Sequence, residues 1–226
     1  MTKESPKISI VIPAYNEEKY IARCLTALKP QLKPGDEIVV VDNNSSDETI
    51  DIAKGYDVKL IKETKQGISY ARNRGFAEAK NTIIARTDAD TVVAGAWLQT
   101  IRDYYAKPDT TMIAITGPVY LKEPRPLQLG LHKGITKRKL GHNNLIGSNM
   151  AMHKDLWDKV LPHLRNDDYR YSEDTELSGE LTRCGAAINF VPSMVVFTSG
   201  RWMWRHPLKY YRAWQRKLGS TVALFK

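Results

Sequence analysis

Only two cysteines, Cys24 and Cys184, occur in 226 residues. That count excludes a disulfide scaffold and a cysteine-rich zinc site, and it fits a reducing compartment. Each lies in a helical apolar pattern, so both are expected to be buried thiols. No apolar run approaches the roughly 18 residues that a membrane-spanning helix needs. The opening Met1-Thr2-Lys3-Glu4-Ser5-Pro6 lacks the apolar stretch of a secretory leader. A cytoplasmic location is the expectation. Several catalytic signatures are missing as well. There is no Gly-x-Gly-x-x-Gly dinucleotide fingerprint, no Gly-Lys-Ser/Thr phosphate loop, no Cys-x-x-Cys, no His-Glu-x-x-His and no Gly-x-Ser-x-Gly nucleophile turn. None of the five histidines is paired at metal-ligand spacing, and His142 and His206 read as solvated.

Acidic residues stop at Glu180, while eight basic residues follow it. Up to that point 26 basic residues nearly balance all 25 acidic ones. Residues 122–142 alone carry six basic residues against Glu123. The formal net charge of +9 therefore belongs to a loop and a tail attached to a near-neutral body. With 42% hydrophobic residues that body can bury a core, which excludes global disorder.

What is present is an alternation of strands and helices. Ile8–Ile12 is a short β-branched run that Pro13 should end. Ile21, Cys24, Leu25 and Leu28 share one helical face before Pro30. Further strands are expected at 37–42, 58–61, 82–87 and 112–116, and further helices at 45–53, 69–79 and 95–106. The second helix should open on a capping box of Ser45 with Glu48. Beyond residue 120 the pattern loosens: 122–146 reads as a loop or irregular helix. Helices then fit 154–160 and 173–182, followed by an apolar stretch at 187–197. Repeated strand-then-helix units imply an α/β fold with a mostly parallel sheet flanked by helices.

In such sheets ligands bind beyond the carboxyl ends of the strands. Those ends carry Tyr15-Asn16-Glu17, Asp42-Asn43-Asn44 and Asp88-Ala89-Asp90. An Asp-x-Asp pair alone is common by chance, and a solvated turn is its bland reading. Directly after an apolar strand it gains meaning. Hard divalent cations bind carboxylate oxygens and keep positions open for substrate phosphates.

At this point the chain resembles a known family. Ile8–Glu18, Val39–Thr49, Gly67–Gly75, Thr87–Thr91, Gly147–Ala151 and Ser172–Leu177 are similar, in that order, to segments of GT-A glycosyltransferases of family 2. The resemblance covers roughly residues 7–200. It implies a GT-A, Rossmann-like fold and a nucleotide-sugar donor carrying UDP or GDP, with Mg²⁺ or Mn²⁺ as cofactor. Pro13, Tyr15 and Glu17 would line the nucleotide pocket, Asp42 would bond the base or ribose, and Arg72 would support the base side. Asp88 would face the ribose or the ion, and Asp90 would ligate the ion. Asp174 would be the general base of an inverting reaction, beside Glu173. Asn149 lies in the segment that would border the donor sugar, and Arg201 would approach the donor phosphates. Read alone, Glu173-Asp174 is no more than a negative helix N-terminus stabilised by the dipole.

The expected organisation is one catalytic domain at 1–198, with a nucleotide-binding half at 1–119 and an acceptor half at 120–198. A basic, aromatic helix at 199–226 follows. Its Leu208, Tyr211, Trp214, Leu218, Val222 and Phe225 share one face beside an arginine-rich arc. Such a helix can lie on an anionic membrane or dock on its own domain. The expected acceptor is lipid-linked or a saccharide, with peripheral contact at the cytoplasmic membrane face through 201–226. The Gln-x-x-Arg-Trp motif of processive members is incomplete at Thr198–Trp202, which argues against a polymerising synthase. A sugar-nucleotide pyrophosphorylase would need glycines after the first strand, and Pro13–Glu17 has none. A retaining transferase remains open, since only Asp174 argues for inversion. So does a module with a decayed site whose aromatic, basic tail stacks bases. The intact set of carboxylates favours the enzyme, with no nucleic-acid partner expected.

Overall fold

A computed structural model describes residues 5–121, 127–128, 143–164 and 173–201. The helix expected beyond Arg201, and most of the basic segment 122–142, lie outside them.

Strand β1 (Ile8–Ala14) is buried along its whole length and runs straight through Pro13. It pairs in parallel with β2 (Glu37–Asp42) on one side and β4 (Ile83–Arg86) on the other. The sheet extends through β3 (Lys59–Lys62) beside β2. Beyond β4 it continues through β9 (Met150–His153), β6 (Ile113–Thr116) and β10 (Ala187–Phe190). All its neighbours are parallel except β9, which runs antiparallel between β4 and β6. The expected mostly parallel α/β sheet is present, and two strands from beyond residue 120, β9 and β10, complete it.

Helices cover both faces because strands buried on two sides need two apolar partners. Ile8, Ile10 and Ile12 pack with Leu25 and Leu28 of α1 (Ile21–Leu28), Ala53 of α2 (Thr49–Lys54), and Trp97 and Ile101 of α4 (Trp97–Tyr105). Val11, Val39 and Val41 face Phe76 of α3 (Ile68–Glu78), Trp157 of α5 (Lys154–Val160) and Leu177 of α6 (Glu173–Arg183). Gly75 allows α3 to sit directly on the sheet: a Cβ there would lie 2.3 Å from Val11 Cγ1 and 3.0 Å from Val41 Cγ2.

A second, smaller sheet joins β5 (Thr91–Val93), β11 (Val196–Thr198), β7 (Val119–Leu121) and β8 (Leu127–Gln128) in that spatial order. β5 begins immediately after Asp88-Ala89-Asp90, so those carboxylates occupy the corner where the chain leaves one sheet for the other.

Three local expectations are corrected. Cys24 is buried as expected, whereas Cys184 is exposed just past the end of α6. The helix expected from Ser45 starts only at Thr49, and no capping box forms. The Ser45 hydroxyl meant to cap it accepts an amide of a neighbouring loop instead. No helix among the described residues is long and apolar enough to cross a membrane.

Candidate active site

The loop after β1 is fastened to the loop after β2 through three consecutive backbone amides. Asn16 N donates to Ser45 Oγ (3.1 Å), Glu17 N to Thr49 Oγ1 (2.7 Å) and Glu18 N to Asp47 Oδ2 (3.2 Å). In return Ser46 N donates to Asn16 Oδ1 at 2.8 Å. Asn16 adopts φ +54°, a left-handed conformation that Asn tolerates better than most residues. Asn43 continues the cradle by donating to Glu63 O and Lys65 O and accepting from Gly67 N. Gly67, at φ +143°, then opens α3. The Asn-Asn-Ser-Ser-Asp segment is thus a rigid floor at the strand ends.

Tyr15 stands on this floor half-exposed, and Pro13 is buried beneath it. Asp42 is partly buried, and its carboxylate accepts Ser45 N at 2.9 Å. These three and Glu17 gather at the ends of β1 and β2, as expected.

At the β4–β5 corner, Asp88 Oδ1 accepts from Arg86 Nη2 at 3.0 Å. Asp90 accepts from Ser199 Oγ (2.5 Å) and Thr198 Oγ1 (3.3 Å), and Arg201 Nε lies 3.7 Å from it. Pairing of β11 with β5 sets Thr198 opposite Thr91 and so delivers the Thr-Ser-Gly-Arg segment to this corner. Arg201 also bonds Glu17 and lies over the Tyr20 ring. Burial pushes the Glu17 carboxyl up to about 7, with Asp90 and Asp88 adding to the rise against the pull of Arg201. Glu17 Oε2 is buried without a hydrogen-bond partner among the described residues. Burial likewise raises Asp88, although Arg86 opposes it.

Glu173, the first residue of α6, reaches the same corner from the other side. Arg86 Nη1 donates to its Oε1 at 2.5 Å, and Arg72 Nη1 bonds its Oε2 and its backbone carbonyl. Burial alone would raise this carboxyl, yet the two guanidinium groups overcome it and hold Glu173 at about 2. Asp174 follows directly, and its backbone carbonyl accepts the Ser178 hydroxyl at 2.6 Å.

Two expected site residues are fully buried. Arg72 is fully buried, with its guanidinium on Glu173 and facing the Trp157 ring, and it offers no surface to a base. Asn149 is also fully buried. It accepts from Trp97 Nε1 (2.8 Å) and donates to Pro118 O (3.2 Å) and Met194 O (2.7 Å), so it ties three segments of the core together. The residue that sequence reading missed is Arg86. Its signal was an arginine ending the otherwise apolar run Ile83-Ile84-Ala85, which must be paired if buried.

The donor set suits a hard divalent cation. Among the described residues no group of three or more His, Cys, Asp or Glu side chains forms a closed metal cage. Asp88 and Asp90 offer carboxylate oxygens, and the orphaned Glu17 Oε2 lies in the same acidic neighbourhood. One or two carboxylates, completed by substrate phosphates and water, is the habit of Mg²⁺ and its relatives.

The chain is similar to known proteins. Residues 9–161 match the family described as Glycosyl transferase family 2. The probable glycosyltransferase YdaM of Bacillus subtilis is 28% identical over 99% of this chain and 57% of its own length. Glycosyltransferase AglE of Haloferax volcanii is 36% identical over 44% of this chain and 35% of its own. The chain thus spans less than two thirds of either relative. Among solved structures, the mannosyltransferase PcManGT of Pyrobaculum calidifontis, in complex with GDP-Man and Mn²⁺, superposes with a TM-score of 0.70 at 21% identity, covering 98% of this chain and 70% of that one. S. aureus TarS 1–349 with UDP-GlcNAc gives 0.70 at 19% identity, over 85% and 58%. The fold is GT-A, and the chain belongs to glycosyl transferase family 2.

Proposed function

We propose that this chain transfers a sugar from a UDP- or GDP-linked donor to a lipid-linked or saccharide acceptor, by single displacement with inversion. The observation that carries the reading is Arg86: one guanidinium bonds both Asp88 at the β4–β5 corner and Glu173 at the start of α6. Donor-side carboxylates and a candidate base segment are therefore neighbours.

In this reading Tyr15 and Asp42 receive the nucleoside, and Asp88 and Asp90 hold Mg²⁺ or Mn²⁺. The cation supplies electrostatic relief for the charge that develops on a departing diphosphate. Arg201 turns from Glu17 and Asp90 toward the phosphates. Asp174 takes the acceptor's proton while the acceptor oxygen forms its bond to the anomeric carbon and the bond to the nucleoside diphosphate breaks. Glu173 is not a candidate for that task, because both its oxygens are engaged by arginines. PcManGT bound to GDP-Man and Mn²⁺, and TarS bound to UDP-GlcNAc, support this assignment of donor class. The basic tail supports peripheral attachment to an anionic membrane at the cytoplasmic face.

A thermal-shift screen of UDP, GDP, UDP-GlcNAc and GDP-mannose with and without Mn²⁺ tests the reading. A ligand at a hundred times its Kd adds about 2.7 kcal/mol, or roughly 5–10 °C for a chain of this size. The matching donor should raise the midpoint by that amount with Mn²⁺, and Asp90→Asn should lose most of the Mn²⁺-dependent part. No shift from any of them would overturn the reading.

A further inference from the structure

We propose that Arg86 is a positioning residue that sets the distance and angle between the donor-side carboxylates and Asp174, with Arg72 as its partner. The inference rests on the reading of Asp174 as the base and deepens it. Arg86 is 1% exposed and Arg72 0%, and between them they occupy both oxygens of Glu173. Arg86 Nη2 simultaneously holds Asp88 Oδ1 at 3.0 Å. Two buried cations are thus matched by two carboxylates, one from each side of the site.

Stability gives no reason for this choice. Replacing a buried ion network by apolar side chains is often neutral or stabilising. Here the network also leaves Arg86 Nε and Arg72 Nη2 without hydrogen-bond partners among the described residues. What the network does provide is geometry. A planar guanidinium reads two carboxylates at fixed angles, which a lysine ammonium on a flexible stem cannot do. Arg72 bonds the backbone carbonyl of Glu173, and the Ser178 hydroxyl donates to the carbonyl of Asp174 while accepting Leu145 N–H at 2.9 Å. The main chain is therefore held on both sides of the Asp174 Cα. Gly147 closes the arrangement: a Cβ there would come within 3.0 Å of Glu173 Oε1 and 3.1 Å of Arg86 Nη2.

A displaced base loses rate rather than donor affinity, and about 1 Å of misplacement can cost on the order of a hundredfold. The test measures release of nucleoside diphosphate with Mn²⁺ and water as acceptor, using whichever of UDP-GlcNAc or GDP-mannose the thermal-shift screen selects. Arg86→Lys should lower kcat by about 10- to 100-fold and leave the donor KM within about threefold. Because Arg86 acts through Asp174, adding Arg86→Lys to Asp174→Asn should cost little beyond Asp174→Asn alone. Gly147→Ala is the milder second variant, which presses on the ion pair without removing it. It should cut kcat several-fold on the same pattern, and it keeps the test alive if Arg86→Lys fails to fold. A wild-type kcat in both variants, or a loss confined to KM, would overturn the proposal, as would a loss fully additive with Asp174→Asn. The underlying reading fails separately: if Asp174→Asn turns over like wild type, or the screen selects no donor, the base or the donor class is wrong whatever Arg86 does.

Discussion

Glu173→Gln isolates the buried charge cluster. Glu173 keeps 14% of its side chain exposed, and its two cationic partners are essentially inaccessible. The substitution preserves shape but turns one oxygen into an amide that faces a guanidinium donor, and it takes the charged partner from Arg72 and leaves Arg86 with Asp88. Removing one partner from a buried pair costs about 3–5 kcal/mol. The titration of Glu173 gives an independent figure. A carboxyl that moves from an ordinary 4.5 in the unfolded chain to about 2 in the fold contributes about 3 kcal/mol. The two routes agree, so Glu173→Gln should be less stable by about 3–5 kcal/mol at neutral pH.

The pH dependence follows from the sign of that shift. A depressed folded value means the contribution is fully present above about 4.5 and is withdrawn as the pH falls toward about 2. Glutamine has nothing to withdraw. The gap between wild type and variant should therefore hold steady from pH 7 to about 5, then shrink by about 2 kcal/mol by pH 3. Urea unfolding followed by the fluorescence of buried Trp97 and Trp157 reads both. A gap below about 1 kcal/mol at pH 7, or one equally wide at pH 3, would refute the account of the cluster.

The remaining predictions concern packing and the tail. Gly75→Ala puts a methyl 2.3 Å from Val11 Cγ1; calorimetry should find a loss of about 1–3 kcal/mol, and an unchanged midpoint would mean α3 is free to shift. Asn149→Ala strands the Trp97 indole N–H and the carbonyls of Pro118 and Met194 in the core. It should cost about 3 kcal/mol or more in denaturant unfolding, and a loss under about 1 kcal/mol would return Asn149 to the candidate ligand contacts. The 226-residue chain should float with vesicles rich in anionic lipid, and a chain ending at Arg201 should not; equal flotation of both would end the membrane proposal.

The fold was legible where local sequence decides structure. Ile8–Ile12, Glu37–Asp42 and the i, i+3, i+4, i+7 face of α1 carry their burial in their own residues, and each lies where its pattern places it. β9 was not legible. Met150-Ala151-Met152-His153 has no β-branched residue and no alternation, and it is a strand because Ile83–Arg86 on one side and Ile115–Thr116 on the other offer it open edges. The capping box failed for a related reason. Ser45 was read as capping its own helix, whereas its hydroxyl accepts the Asn16 amide of the loop after β1. Local propensity yielded to a contact with residues about 30 positions away.

The candidate site divides along the same line. Carboxylates at strand ends could be read because a parallel sheet puts all such ends on one edge, so Glu17, Asp42, Asp88 and Asp90 needed only correct strands to be grouped. Arg72, Arg86 and Asn149 depend on what approaches them across the fold. Arg72 and Glu173 are 101 positions apart in sequence, and Arg86 and Glu173 are 87. Nothing in Ala71-Arg72-Asn73 distinguishes a guanidinium aimed at a base from one aimed at a carboxylate under the sheet. The distinction comes from burial. A fully inaccessible arginine must find an anion or lose its charge, and Glu173 supplies one to each of the two arginines. That requirement separates a Glu-Asp pair read as a helix terminus: Glu173 satisfies the core arginines, and Asp174, held in the same turn, is the residue proposed as the base.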